Sequence, residues 1–220
     1  MTATSSLRDQ LAALLKHGRV IPVITIARVE DAVPLARALV EGGIHLLEIT
    51  LRTAAGLAGA EAIIRAVPDA IVGIGTVLTP DDLKRSIDIG ARFALSPGAT
   101  AALLDAAAAA PIPFLPGIAT ASELMEAMAR GFDTAKFFPA TSAGGIAGLK
   151  ALAGPFPHAR FCPTGGITES NAAEWLAEPN VVAVGGSWLA PIDEIARKDW
   201  QHIANRARYM VSQLADKRAG

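Results

Sequence analysis

One cysteine, Cys162, is all the chain has in 220 residues. A lone thiol excludes an internal disulfide and a multi-cysteine metal site, and it suits a reducing cytosol. Histidine is scarce as well. His17, His45, His158 and His202 show no metal-ligand spacing, and no aspartate or glutamate cluster suggests a divalent ion. Aromatic residues reach only 5%, and Trp175, Trp188 and Trp200 read as packing. Neither sign of charge prevails: 20 basic residues face 21 acidic ones, for a net charge of −1. That balance gives no electrostatic argument for nucleic acid or an anionic membrane as partner. No stretch approaches the ~20 uninterrupted apolar residues of a transmembrane helix. The opening MTATSSLRDQLAALLKHG has no long apolar segment of a secretory signal. The expectation is a cytoplasmic protein.

What the chain does have is apolar mass, at 51% hydrophobic residues. That is enough for one well-buried core, and barrels of this length are often one domain. No composition shift marks a boundary, so residues 1–220 are expected to form one domain, with a first helix over about 5–17. Short β-branched or aromatic runs recur: VIPVIT (20–25), HLLEIT (45–50), IVGIGT (71–76), RFALSP (92–97), IPFLPG (112–117), TAKFFPA (134–140), ARFCPTGG (159–166) and VVAVGGS (181–187). Their starts lie about 20–26 residues apart, the spacing of a strand plus a helix. Helix-like stretches fill the gaps. VEDAVPLARALVEGG (29–43) has apolar residues three to four apart and ends on glycine. TPDDLKRSIDIGA (79–91) offers Thr79 as N-cap and Pro80 at the first helical position. TASELMEAMARG (120–131) offers Thr120 or Ser122 as cap and Gly131 as stop. Residues 192–216 read as one final helix. Eight strand–helix units in one order predict an α/β fold, a compact (β/α)8 TIM barrel. The rival is a doubly wound open sheet, but eight even units close more naturally than they wind open.

In such a barrel the chemistry lies at the C-terminal ends of the strands. The polar residues there are Thr25, Glu48 to Arg52, Thr76, Ser96, Lys136, Thr164 and Ser187. Lysine is almost never fully buried without a reason, yet Lys136 sits inside the apolar run TAKFF. Strand residues alternate between barrel interior and helix layer. If Lys136 and Glu48 both point inward, they meet from the sixth and second strand segments. The structural reading is an ion pair that caps the barrel. Burying such a pair seldom improves stability over an apolar pair of similar volume. The functional reading is a desolvated, nucleophilic lysine that attacks a carbonyl, with Arg52 as a nearby cation. Imine chemistry needs a base that moves several protons in sequence, a role open to Glu48. Arg52 is either a solvated loop residue or a planar fork for a substrate carboxylate. PTGGI (163–167) and VGGSW (184–188) follow the seventh and eighth segments, where many such barrels bind phosphate. Glycine lets backbone N–H groups approach an anion. The alternative is that the paired glycines only make tight turns. Cys162 reads as a packed small hydrophobe. GIGT (73–76) lacks the further glycine and the acid of a dinucleotide loop.

Read together, LEITLRT (47–53), GIGTVLTPDDL (73–83), SPG (96–98), KFFPA (136–140), RFCPTGGI (160–167) and VGGSWLAP (184–191) resemble the 2-keto-3-deoxy-6-phosphogluconate aldolase family. The resemblance runs from about residue 18 to 191. It implies a class I aldolase that cleaves 2-dehydro-3-deoxy-6-phosphogluconate to pyruvate and glyceraldehyde 3-phosphate, the last step of the Entner–Doudoroff pathway. It implies a TIM barrel, a homotrimer, no metal and no organic cofactor. By the same resemblance Lys136 forms the Schiff base and Glu48 is the general acid/base. Arg52 and Thr76 hold the pyruvate carboxylate, and Pro97 and Phe138 flank the imine. Thr164, Gly165, Gly166, Gly186 and Ser187 line the substrate site, with the phosphate near the glycines. The chain departs from the pattern at Thr141, where the family commonly has an acidic residue, and at GIGT, where GAGT is commoner.

Three other readings remain open on the residues. The same lysine chemistry serves 2-dehydro-3-deoxy-6-phosphogalactonate or 4-hydroxy-2-oxoglutarate. A phosphosugar isomerase or epimerase could use the same barrel with no imine, although it would not require a neutral amine. A non-catalytic phosphate-ligand barrel would leave Lys136 and Glu48 as a mere ion pair.

Overall fold

The computed structural model of the chain describes residues 6–216. Residue 5, where the first helix was expected to begin, and residues 217–220 lie outside that range. Strands and helices alternate as the spacing requires. After α1 (Leu7–Leu15) come β1 (Val20–Ile24) and α2 (Val29–Glu41), then β2 (Leu46–Thr50) and α3 (Ala55–Ala66). β3 (Ile71–Gly75), α4 (Pro80–Asp88), β4 (Phe93–Leu95) and α5 (Ala101–Ala108) follow. The fifth segment is broken into β5 (Phe114–Leu115) and β6 (Gly117–Ile118), so the sixth is β7 (Thr134–Phe137), after α6 (Ala121–Met128). α7 (Gly145–Ala153), β8 (Arg160–Phe161), α8 (Ala172–Leu176) and β9 (Val184–Gly186) complete the alternation.

All the strand pairings are parallel, and they form two sheets. One has six strands in the order β5-β4-β3-β2-β1-β9; the other has three, β6-β7-β8. The break at Pro116 has a plain cause: proline has no N–H to give a ladder. Its carbonyl still accepts from Lys136 N–H at 2.8 Å. The chain after β8 also runs beside β9. Thr164 bridges Gly185 in parallel, and Gly185 N–H donates to the Pro163 carbonyl at 2.8 Å.

Side chains sort by the period of two. In β2, Leu47 and Ile49 join the large cluster under the helices, whereas Leu46 joins a smaller inner cluster with Ile21, Phe93, Leu95 and Leu115. Leu11 and Leu14 of α1 belong to that inner cluster too. They cover the end of the sheets where the strands begin and leave the strand C-termini open for chemistry.

The cap predictions hold. Thr79 caps α4 in a capping box with Asp82, and Pro80 opens the helix. Thr120, not Ser122, caps α6, paired with Glu123. One element differs from expectation. Residues 192–216 are two helices, α9 (Ile192–Arg197) and α10 (Trp200–Asp216). Lys198 takes a left-handed backbone, φ 58°, which ends α9 and turns the chain. The turn lets Glu194 of α9 receive a two-pronged contact from Arg206 of α10, at 2.8 and 2.5 Å.

Candidate active site

Glu48 is the third residue of β2 and Lys136 the third of β7. The two strands belong to different sheets, but both side chains turn inward and meet. Lys136 Nζ donates to Glu48 Oε1 at 2.7 Å, with the side chains 3% and 1% exposed. Such a pair is a weak stabiliser, yet deleting one partner strands a buried charge at a cost of about 3–5 kcal/mol. The half-buried Phe138 ring lies 5.6 Å from the ammonium. The lysine is therefore held between a carboxylate and an aromatic face at the open end of the strands. A primary amine and a proton carrier in hydrogen-bond contact are the components of covalent carbonyl chemistry.

Thr76 follows β3 directly, with a left-handed backbone, φ 61°. That is an outlier for a β-branched residue and costs of order 1–3 kcal/mol. Strand bonds hold it on both sides. The Gly75 carbonyl accepts from Leu51 N–H at 2.9 Å, and Val77 N–H donates to Leu95 at 3.1 Å. Arg52 is exposed in the loop after β2 and has no hydrogen bond or ion pair among the described residues. Its guanidinium is free for an anion. Pro97 is half-buried just beyond β4.

The two glycine loops lie side by side, joined by the Thr164–Gly185 bridge. Gly165 and Gly166 have φ of 97° and 78°, a turn that side chains with a Cβ resist. Ala140 N–H donates to Thr164 at 2.8 Å and Thr141 N–H to Gly165 at 3.1 Å, which ties this loop to the end of the lysine strand. Asn171 locks its far side, donating from Nδ2 to Gly166 at 3.1 Å and accepting from Thr168 N–H at 2.8 Å. Ser187 is exposed just beyond β9 and Gly186 is buried. Thr141, the unusual residue, packs its hydroxyl over Gly166.

Three further polar contacts brace the strand ends. Thr25 and Thr50 meet hydroxyl to hydroxyl at 3.2 Å, and Thr50 also donates to the Ile24 carbonyl at 2.9 Å. Ser96 Oγ accepts from Gly117 N–H at 3.1 Å, bracing the strand beside Lys136. Their signal was present: each lies at a strand end, and Thr50 is on the same side of β2 as Glu48. Cys162 lies just past β8, fully buried, and burial pushes its thiol up to about 12. Among the described residues, no group of three or more His, Cys, Asp or Glu could hold a metal ion. No helix among them is long and apolar enough to cross a membrane.

A family model described as the KDPG and KHG aldolase matches residues 11–206. The chain belongs to this family. The KHG/KDPG aldolase of Escherichia coli (strain K12) is 49% identical over 199 residues, 90% of this chain and 93% of the relative. Among solved structures, the KDPG aldolase of Legionella pneumophila, with pyruvate captured as a covalent carbinolamine intermediate, superposes with a TM-score of 0.88. It is 48% identical and the match covers 90% of this chain and 96% of that one. The 2-keto-3-deoxy-6-phosphogluconate aldolase of Zymomonas mobilis, solved with 3-phosphoglycerate, gives 0.84 at 40% identity, over 92% and 96%. Membership in the KDPG and KHG aldolase family agrees with an amine, a carboxylate and two glycine loops gathered at one end of the parallel sheets.

Proposed function

We propose that the chain is a class I aldolase that cleaves 2-dehydro-3-deoxy-6-phosphogluconate to pyruvate and D-glyceraldehyde 3-phosphate, in the Entner–Doudoroff pathway. The observation that carries this reading is the buried 2.7 Å contact between Lys136 and Glu48. Neutral Lys136 attacks the C2 ketone, and loss of water gives an iminium. That cation draws electrons as the C3–C4 bond breaks and the C4 hydroxyl gives up its proton. Glu48, directly or through water, takes that proton and serves the dehydration step. The enamine is then protonated at C3, and water releases pyruvate and the lysine. Arg52 and Thr76 hold the carboxylate, with Pro97 and Phe138 flanking the imine. Thr164, Gly165, Gly166, Gly186 and Ser187 take the other end, with the phosphate at the glycines. The lysine supplies the electron sink, so this scheme asks for no cofactor.

Several coarser features complete the reading. The two sheets act as one (β/α)8 barrel in one domain, with Pro116 and the Thr164–Gly185 bridge as its seams. The protein works in the cytoplasm as a homotrimer, on a phosphorylated keto acid.

The name of the Escherichia coli relative favours 4-hydroxy-2-oxoglutarate as a second substrate of the same site. Lys136→Ala is expected to remove cleavage, by at least about 1,000-fold, and to keep the fold. Coupled release of pyruvate from both phosphorylated C4 epimers and from 4-hydroxy-2-oxoglutarate, with circular dichroism of the variant, checks this. Substantial turnover by a folded Lys136→Ala variant would contradict it.

A further inference from the structure

β3 reads IVGIG, and its alternation is unusual. Val72 and Ile74 face the helix layer, within the large apolar cluster. The other face carries Ile71 at the start of the strand, packed against the inner cluster, and then only Gly73 and Gly75. Past Ile71 the strand sends no side chain inward, and two neighbours fill the space it leaves. A Cβ on Gly73 would lie 2.3 Å from the Phe93 ring. A Cβ on Gly75 would lie 2.0 Å from Glu48 Oε1 and 2.7 Å from both its Cδ and its Cγ. Contacts below 3.0 Å do not occur for real side chains, so an alanine here cannot coexist with the present glutamate. The oxygen that would be struck first is the one that accepts from Lys136.

We infer that Gly75 is a positioning residue: its missing side chain is the slot that holds the Glu48 carboxylate against Lys136. This rests on the aldolase reading for its catalytic consequence, not for its geometry. Gly75 is a regular strand residue outside the left-handed region, so its backbone would accept alanine without strain. The three atoms nearest to an added methyl all belong to Glu48. All three struck atoms belong to one flexible side chain, so the fold can yield by swinging the carboxylate away. Gly73 lacks this role, because its slot is filled by a phenyl ring of the inner core.

A double-mutant cycle over Gly75→Ala and Glu48→Ala tests the inference. Gly75→Ala is expected to lower kcat about as far as Glu48→Ala does, about 100-fold or more, with KM for the keto acid little changed. In the Glu48→Ala background the same change should cost nothing further, because no carboxylate remains to be displaced. Melting temperatures give the cycle without substrate: Gly75→Ala should lower the midpoint in the presence of Glu48 and not in its absence. If Gly75→Ala fails to fold, recovery of the fold in the double variant supports the inference, and loss of both overturns it. A wild-type kcat in Gly75→Ala, or an equal loss in both backgrounds, would also overturn it. Failure of the wild-type protein to cleave any keto acid would count against the aldolase reading alone, since the thermal cycle still decides on Gly75.

Discussion

Burial pushes the Cys162 thiol up to about 12, and nearby Glu48 adds to the effect while Lys136 opposes it. Only the thiolate is a nucleophile, so at pH 8 about one molecule in 10,000 carries the reactive form. Native protein is expected to resist alkylation by iodoacetamide between pH 7 and 9, and to take up one equivalent once unfolded. Mass spectrometry of intact protein checks this; full labelling of the native form would contradict the packing of this residue. Lys136, whose charge acts on that thiol, is buried as well. Lys136 was legible as an inward-facing residue because a strand alternation put a cation on an apolar wall. Glu48 was legible by the same alternation. Gly75 was not, because a glycine carries no side-chain chemistry, and its effect is visible only once the glutamate is seen beside it. The strained backbone of Thr76 was equally hidden. Nothing in the letters of GIGT distinguishes a left-handed threonine from an extended one.

Helix boundaries follow local chemistry. Thr79 and Thr120 each accept from the amide three residues on and donate their own N–H back to an acid there; spacing singled out Thr79 and left Thr120 and Ser122 as alternatives. The break between α9 and α10 could not be read from spacing, since Lys198 has no sequence mark of a turn. What holds the two helices together is the Glu194–Arg206 pair, with side chains 12% and 16% exposed. The hydrogen bond from Arg206 holds the Glu194 carboxyl below the usual carboxylate range. A carboxyl lowered on folding stabilises fully above the ordinary value of about 4.3, and the contribution is lost as pH falls through the folded value. Glu194→Gln is expected to cost about 1 kcal/mol at pH 7, with the difference from wild type closing below about pH 4. Urea unfolding at both pH values checks it, and a difference independent of pH would contradict the pairing. Likewise the fifth strand segment was legible, but its division at Pro116 reflects a missing amide that only matters where a neighbour needs it.

At the scale of the whole molecule, one arrangement connects fold and site. Parallel strands all end on the same side, and the inner cluster with α1 covers the other. Every polar residue that closes a strand is therefore delivered to one face. That is why an even rhythm of short strands was enough to expect Glu48, Thr76, Lys136, Thr164 and Ser187 at one end, where Lys136 and Glu48 are in contact. The rhythm could not give the reach across the interior, because contacts between strands so distant in sequence depend on how both sheets curve. Nor does the rhythm fix the C4 configuration of the substrate, which depends on contacts that only a bound sugar chain makes.

The proposed chemistry begins with an imine between Lys136 and a keto acid. Incubation with pyruvate and sodium borohydride, followed by peptide mapping, tests it most directly. A stable pyruvyl adduct is expected on Lys136 alone, absent without pyruvate and absent in Lys136→Ala. No adduct on folded protein across several pH values, or an adduct on another lysine, would contradict it.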